Sequence, residues 1–102
     1  MGIDPGSTIN VQIRLLGFLA QAAKRAEIEL VVEPGSTVAD LMHLLAERVG
    51  PELRQSLLDR HGNPHGGLEI VLNGQLIPVR KISEFSLWDD SQLIIIPLVG
   101  GG

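Results

Sequence analysis

The sequence closes with DDSQLIIIPLVGGG, residues 89–102, in which two acidic residues lead into an apolar run, a proline and three glycines. The unbroken apolarity of Leu93–Ile96 predicts a strand, ended by Pro97, that is either covered on both faces or exposes one apolar face. The first strand of the chain is similarly apolar, so we expect these two strands to lie side by side. If they run parallel, residues 98–102 leave from the centre of a sheet.

Residues 98–102 predict a thin, flexible tail. Gly100, Gly101 and Gly102 lack side chains, so such a thread can approach another backbone closely. A free carboxylate on Gly102 would suit a narrow active site on another protein, and five residues reach roughly 17 Å into it. The alternative is a frayed end without a function, which is common at chain termini.

Two alternating patterns near the start predict an antiparallel pair of strands. Apolar residues occupy every second position of Ile9–Leu15 and again within Glu27–Glu33, a period typical of half-buried strands. The segment between them, Phe18–Ala26, is a connection with some helical character. Residues 1–8 show no periodicity and predict a disordered leader or vector remnant.

Two helices are predicted next. Thr37 is the expected N-cap of the main helix, because its hydroxyl can accept a backbone N–H and Asp40 opposes the positive helix end. Apolar side chains recur at helical spacing over residues 38–49, and Gly50-Pro51 stops the helix. Glu52–Arg60 predicts a shorter second helix.

Two short strands follow, joined by a tight turn. Asn73-Gly74 is a strong hairpin signal because a type I′ turn needs a positive φ twice. It separates the predicted strands Leu68–Leu72 and Gln75–Val79, and Pro78 suits an edge strand. The predicted connections are the loop His61–Gly67 and the segment Lys81–Ser91, which contains an Asp89-Asp90 turn. The order β-β-α-(α)-β-β-β predicts one α+β domain over residues 9–97, with a mixed sheet packed on one main helix plus a short helix.

Composition excludes several classes of protein. The chain has 102 residues, 44% hydrophobic and 20% charged, as expected of one soluble domain. It contains no cysteine, which removes disulfides, thiol nucleophiles and thiolate metal sites and is compatible with the cytoplasm. A net charge of −4 gives no basic field for nucleic acid or anionic membranes. The longest apolar run is far shorter than the ~20 residues of a membrane span.

The combined order, spacing and terminal glycines resemble the ubiquitin-like β-grasp fold and, within it, the MoaD/ThiS group of sulfur-carrier proteins. The residues that carry the resemblance are 71–74 (VLNG) and 89–102. The family shows an apolar pair before Asn-Gly, and later Asp-Gly-Asp, an apolar strand, Pro, Val-Ala and Gly-Gly. The insertion Glu52–Gly67 favours the type that forms the small subunit of molybdopterin synthase. Two positions depart from the pattern, since Asp89-Asp90-Ser91 replaces Asp-Gly-Asp and Gly100 replaces the usual alanine.

The resemblance implies a protein co-substrate rather than an enzyme. An E1-like adenylating enzyme would activate the Gly102 carboxylate with ATP, and sulfide would then displace AMP to leave a thiocarboxylate. The sulfur would pass to the large subunit of molybdopterin synthase or to another sulfur-accepting enzyme. ATP and any metal would belong to the activating partner, so the chain itself would bind no cofactor. The alternatives are a sulfur carrier for thiazole or cysteine synthesis, a ubiquitin-like protein modifier, or a β-grasp interaction module with an inert tail.

Three apolar residues predict the surface that contacts the partner. Phe18, Leu98 and Val99 would form a patch where the first and last strands end, although the alternative places Phe18 in the core. An acidic rim would speed encounter with a basic partner. The predicted rim residues are Glu27, Glu29 and Asp89; for the two glutamates, a solvated strand face is the alternative.

The histidines are weak candidates for chemistry. His61 and His65 suggest a metal clip, but no third ligand is evident, so we interpret them as solvated loop residues and predict no metal site. His43 is expected to pair with Glu47 on the polar face of the main helix.

Overall fold

The computed structural model describes residues 8–98. The predicted leader up to Ser7, together with Val99, Gly100, Gly101 and Gly102, lies outside these residues. The elements in chain order are β1 (Ile9–Leu15), α1 (Phe18–Ala23), β2 (Glu27–Val32), α2 (Val38–Val49), α3 (Pro51–Leu57), β3 (Leu68–Leu72), β4 (Gln75–Ile77), a 3₁₀ helix (Val79–Glu84) and β5 (Ser91–Pro97).

The strands form one mixed sheet in the order β2-β1-β5-β3-β4. β1 pairs antiparallel with β2 and parallel with β5, so the predicted pairing of the first and last strands is confirmed. β3 pairs antiparallel with both β5 and β4. The last strand therefore occupies the centre of the sheet, and the predicted α+β fold with a mixed sheet is confirmed.

Local signals set the ends of the main elements. The backbone N–H of Asp40 donates to Thr37 Oγ1 (3.2 Å), and the N–H of Thr37 donates to Asp40 Oδ2 (3.0 Å). This reciprocal capping box satisfies two N–H groups that the first turn of α2 leaves free. Asn73 and Gly74 have φ of 50° and 83°, as the predicted type I′ turn requires.

The core lies between one face of the sheet and the helices. Side chains alternate between buried and exposed from Val11 to Leu15 of β1 and along all of β2, whereas Ile9 and Asn10 are both half-buried. Buried side chains of α1, α2 and α3 pack with the buried side chains of these strands in one hydrophobic cluster. The largest fully buried side chains are Ile13, Leu15, Leu19, Leu41, Met42, Leu45, Leu53, Leu57, Ile70, Leu93 and Ile95.

Several element boundaries differ from the sequence prediction. β5 is longer than predicted because Ser91 pairs with Val11 of β1 and Pro97 pairs with Leu68 of β3. β4 ends at Ile77, before Pro78, whose missing N–H cannot extend a ladder. The 3₁₀ helix occupies part of a segment predicted as a connection, and α1 is a short but regular helix.

Candidate functional site

The central strand delivers the C-terminal residues to one end of the sheet. β5 is hydrogen-bonded on both sides, to β1 and to β3. Beyond Pro97, the backbone N–H of Leu98 donates to the carbonyl of Gly67 at 2.7 Å. The chain is therefore held on the loop before β3 up to Leu98, and residues 99–102 follow from this fixed point. The predicted tail residues Val99, Gly100, Gly101 and Gly102 lie beyond the described part of the chain.

Phe18 and Leu98 lie at this same end of the sheet. β1 and β5 run parallel and stay in register up to Leu15 and Ile95. An added Cβ on Gly17 would lie 3.1 Å from Cγ of Pro97, so the residues directly before Phe18 and Leu98 lie against each other. Phe18 is 48% exposed and Leu98 is 46% exposed. Placement of Phe18 in the core is therefore wrong.

The predicted acidic rim is only partly assembled. Glu27 accepts a hydrogen bond from Arg14 at 2.6 Å in an exposed ion pair, and Glu29 accepts one from Gln12 at 3.2 Å. Both glutamates belong to β2 on the open face of the sheet. The prediction for Asp89 is wrong. Its carboxylate accepts a hydrogen bond from the backbone N–H of Asn10 at 2.8 Å. Asp89 therefore lies at the end of the sheet opposite to Leu98, because it precedes β5 and the parallel strand β1 begins at that end.

The structure adds apolar residues that the predicted patch did not include. On the face of the sheet that the helices leave uncovered, Val71 pairs with both Ile94 and Leu76, and Ile96 follows on β5. Ile94, Ile96 and Val71 are half-buried, whereas Leu76 is 61% exposed. The outer apolar patch, as we name it, consists of Val71, Leu76, Ile94, Ile96 and Leu98.

The apolar run Leu93–Ile96 was the signal for this patch. Neighbouring residues of a strand face opposite sides, so a continuous run supplies both the core and the outer face. Leu93 and Ile95 are fully buried, while the residues between and after them face outward. Of the two alternatives that this run left open, the exposed apolar face is the one observed.

A groove continues the outer apolar patch around the edge of the sheet. It has a volume of about 360 Å³ and is lined by Leu98, Leu76, Pro78 and Val79, with Glu69 contributing a carboxylate. The groove therefore begins at the last described residue, directly beside the start of the tail.

The histidines do not form a metal site in the described part of the chain. No three His, Cys, Asp or Glu side chains among residues 8–98 are grouped to hold a metal ion. His65 Nε2 lies 2.9 Å from the carbonyl of Gln55, a contact that fixes the loop against α3. The expected pairing of His43 with Glu47 is wrong. Among residues 8–98, the side chains within salt-bridge distance are those of Arg14 and Glu27. None of the helices within residues 8–98 has the length and apolarity to cross a membrane.

Solved structures share this fold over nearly their whole length. Small archaeal modifier protein 1 from Haloferax volcanii superimposes with a TM-score of 0.80 at 20% identity, covering 91% of this chain and 99% of that protein. The protein of the same name from Methanosarcina acetivorans gives 0.78 at 25% identity, with 95% and 100% covered. A putative molybdopterin converting factor, subunit 1, from Pyrococcus furiosus gives 0.66 at 20% identity, with 89% and 99% covered.

A comparison of sequences gives the family directly. No curated protein matches the chain. The model of the ThiS family matches residues 13–102, from the middle of β1 to the final glycine. This range includes the central strand, the outer apolar patch and the tail. The chain therefore belongs to the ThiS family, whose members are ubiquitin-like carriers with a β-grasp fold.

Proposed function

We propose that this chain is a sulfur carrier whose terminal residue, Gly102, is adenylated and then thiocarboxylated by an E1-like enzyme. The observation that supports this most directly is the central position of β5. A strand held between two neighbours fixes the position of the residue from which the tail starts. A partner that binds the body therefore receives the tail from a defined point. The match to the ThiS family extends through Gly102, which supports a role for the glycines themselves.

The proposed chemistry has two steps. A carboxylate oxygen of Gly102 attacks the α-phosphate of ATP, pyrophosphate leaves, and an acyl-adenylate forms. Sulfide from a donor then attacks the carbonyl carbon, AMP leaves, and a thiocarboxylate remains. The chain supplies the acyl group, while ATP, any metal ion and the groups that position them come from the activating partner. We place this reaction in the cytoplasm, where ATP is available.

Molybdopterin synthesis is the proposed destination of the sulfur. Residues 51–67 insert α3 and an ordered loop between α2 and β3, and a longer chain of this kind favours the small subunit of molybdopterin synthase. The similar structure named as a molybdopterin converting factor subunit supports the same assignment. The acceptor would then be the large subunit of that synthase.

Protein modification is the second candidate. Two of the three structures described above are named small archaeal modifier protein 1, and one of them superimposes with a TM-score of 0.80. In that case the activated Gly102 would be joined to a lysine amine. Intact mass spectrometry of the protein from its own host separates the two candidates, because a carrier retains a free thiocarboxylate whereas a modifier is recovered in isopeptides.

The outer apolar patch is the proposed docking surface for these partners. Exposed apolar side chains that adjoin one another on a sheet mark interaction sites more often than isolated ones do. Leu98 belongs both to this patch and to the base of the tail, so binding here would direct the tail into a cleft of the partner. Glu27 and Glu29 lie on the polar side of the same face and would favour a partner with basic residues there.

Deletion of Gly102 tests the reactive residue. The purified chain is incubated with the adenylating enzyme from its own host, ATP and a sulfide source, and its intact mass is measured. The wild-type protein should exchange one oxygen for sulfur. The truncated protein should not, because its carboxylate is displaced by ~3.3–3.6 Å. Sulfur gain at the normal rate would show that Gly102 is not the specific acceptor.

Substitution of Gly101 with valine tests the need for a thin tail. Gly101 follows the last strand, so we expect a change in stability below about 0.5 kcal/mol, as for ordinary surface substitutions. The variant should nevertheless fail to be charged, because a branched side chain blocks a narrow channel. Normal charging would mean that the glycines are incidental.

Three matched serine substitutions test the docking surface. Leu98→Ser and Leu76→Ser each remove an exposed apolar group from the outer apolar patch, while Val31→Ser removes one from the edge strand β2. Their starting exposures are similar, at 46%, 61% and 51%. The first two should weaken binding to the activating enzyme about tenfold or more, the loss expected from a well-placed interface residue, and Val31→Ser should bind normally. Equal losses in all three variants would contradict this assignment.

A further inference from the structure

A cleft of about 440 Å³ lies on the helical side of the molecule, and its described lining includes no residue of the outer apolar patch. One wall is the exposed side of α2, with Ala39 and His43. A second wall is the loop between α3 and β3, and the third is the 3₁₀ helix, with Arg80 and Ser83. The volume falls within the range of small-molecule sites, which is roughly 300–1,000 Å³.

The loop wall of the cleft is held in one conformation. Asp59 Oδ1 accepts the backbone N–H groups of His61 (2.8 Å) and Asn63 (3.0 Å), and the N–H of Asp59 donates to the carbonyl of Asn63 at 2.7 Å. The His65 ring bonds to α3 through the carbonyl of Gln55. An added Cβ on Gly62 would lie 3.4 Å from Cε1 of His43, so the loop already approaches α2 closely. The cleft is therefore formed before any ligand enters.

The charge of the cleft is opposite to that of the protein. The chain carries a net charge of −4. Among residues 8–98, however, no Asp or Glu lines this cleft, whereas Arg80 and His43 do. Arg14–Glu27 is the ion pair found among residues 8–98, and Arg80 takes no part in it. The one carboxylate of the loop, on Asp59, is engaged by backbone N–H groups. The Arg80 guanidinium is thus free to bind an anion.

The polar groups around Arg80 suit an anionic headgroup. A guanidinium binds phosphate or carboxylate through two parallel N–H donors. His43, Asn63 and Ser83 add an imidazole, an amide and a hydroxyl that can donate hydrogen bonds, while Val79 and Ile82 provide an apolar surface. We propose that this cleft binds a small organic anion, with its phosphate or carboxylate group on Arg80 and its apolar part against the 3₁₀ helix.

The position of the cleft connects it to the tail. Gly66 lines the cleft, and the next residue, Gly67, accepts the hydrogen bond of Leu98. Val79 lines both this cleft and the groove beside Leu98. An anion bound here would contact the loop that anchors the base of the tail. The proposal concerns a separate site and does not depend on sulfur transfer.

Titration of the ¹⁵N-labelled chain tests the proposal, with inorganic phosphate, phenyl phosphate and benzoate as probes. Saturable shifts should cluster at the backbone amides of residues 79–83 and of the loop residues 62, 63, 65 and 66, since Pro64 has no N–H. Phenyl phosphate should bind several-fold more tightly than inorganic phosphate, because its phenyl ring can contact the apolar surface of the 3₁₀ helix. Comparison with benzoate shows whether the site prefers a phosphate or a carboxylate group.

Two arginine variants with equal net charge complete the test. Arg80→Gln should weaken the saturable binding at least tenfold, whereas Arg60→Gln, which alters an exposed arginine outside the cleft, should leave it unchanged. Absence of shifts at the cleft would overturn the proposal, as would equal losses in both variants. Shifts spread over all arginines and lysines would also overturn it, since they would mean nonspecific binding of anions to the surface.

Discussion

Replacement of Gly17 with alanine should destabilise the protein through two separable effects. Gly17 has φ of 58° and ψ of −137°, a conformation almost restricted to glycine, and its adoption by another residue costs about 1–3 kcal/mol. The new Cβ would also lie 3.1 Å from Cγ of Pro97, so the ring would have to move by a few tenths of an ångström. Overpacking of this kind costs about 1–3 kcal/mol. We therefore expect a loss of about 2–6 kcal/mol.

Gly35→Ala is the matched control for the first effect. Gly35 also has a positive φ, of 90°, but an added Cβ would meet nothing within 4 Å, so we expect a loss of only about 1–2 kcal/mol. Thermal unfolding followed by far-UV circular dichroism gives the comparison, since 1 kcal/mol corresponds to about 4–8 °C in a domain of this size. Equal losses in the two variants would refute the contact with Pro97, and a Gly17→Ala protein as stable as wild type would refute both effects.

Three further outcomes follow from the burial and charge of single residues. In urea unfolding, Phe18→Ala should lower the free energy of unfolding by about 1–2 kcal/mol, because Phe18 is 48% exposed. Leu19→Ala, at a fully buried position, should lower it by about 2–5 kcal/mol. The reverse order would contradict the fold. Hydrogen bonds from backbone N–H groups, of which that of Asn63 has the largest effect, lower the pKa of Asp59 below its ordinary 3.8. The ionised carboxylate therefore stabilises the folded protein above pH 3.8, and this contribution is lost as the pH falls through the lower pKa of the folded state. Thermal unfolding of Asp59→Asn should lack this acid dependence, and an unchanged dependence would exclude Asp59 as its source. The emission maximum of Trp88, the only tryptophan and 64% exposed, should shift little on unfolding, and a large blue shift in the native protein would contradict its exposure.

The sequence predicted most of the fold because its local signals agree with the tertiary structure. The alternation of β1 and β2, the Thr37 cap and the Asn73-Gly74 turn each depend on interactions within a few residues or on one buried face. The boundaries of β5 were harder to predict, since Ser91 joins the strand only through its partners. Ser91 is 2% exposed, and its hydroxyl accepts the backbone N–H of Trp88 at 2.8 Å. No local pattern identifies a buried serine as part of a strand.

The candidate site was less predictable because it depends on which strands become neighbours. The expected parallel pairing of the first and last strands predicts that Phe18 and Leu98 lie at one end of the sheet, and they do. The prediction for Asp89 fails because this residue precedes β5 and lies beside Asn10, where β1 starts. Parallel strands begin at the same end of a sheet and finish at the other. Val71 and Leu76 belong to the outer apolar patch because β3 and β4 lie on the side of β5 opposite to β1. No spacing in the sequence reveals this strand order.

The division between tail and body has a consequence for specificity. Three glycines present no side chains, so the proposed reactive end is nearly identical in any carrier that uses it and carries little information about the partner. Discrimination between partners is a difference in binding free energy, and it must come from side chains that differ between carriers. In this chain Leu98 precedes the tail and shares a groove with Leu76 and Glu69, while Phe18 follows Gly17, which lies against Pro97. We therefore expect that exchanging these residues between two carriers, with both tails unchanged, would exchange their preference for activating enzymes. Retention of the original preference would mean that recognition resides elsewhere on the body.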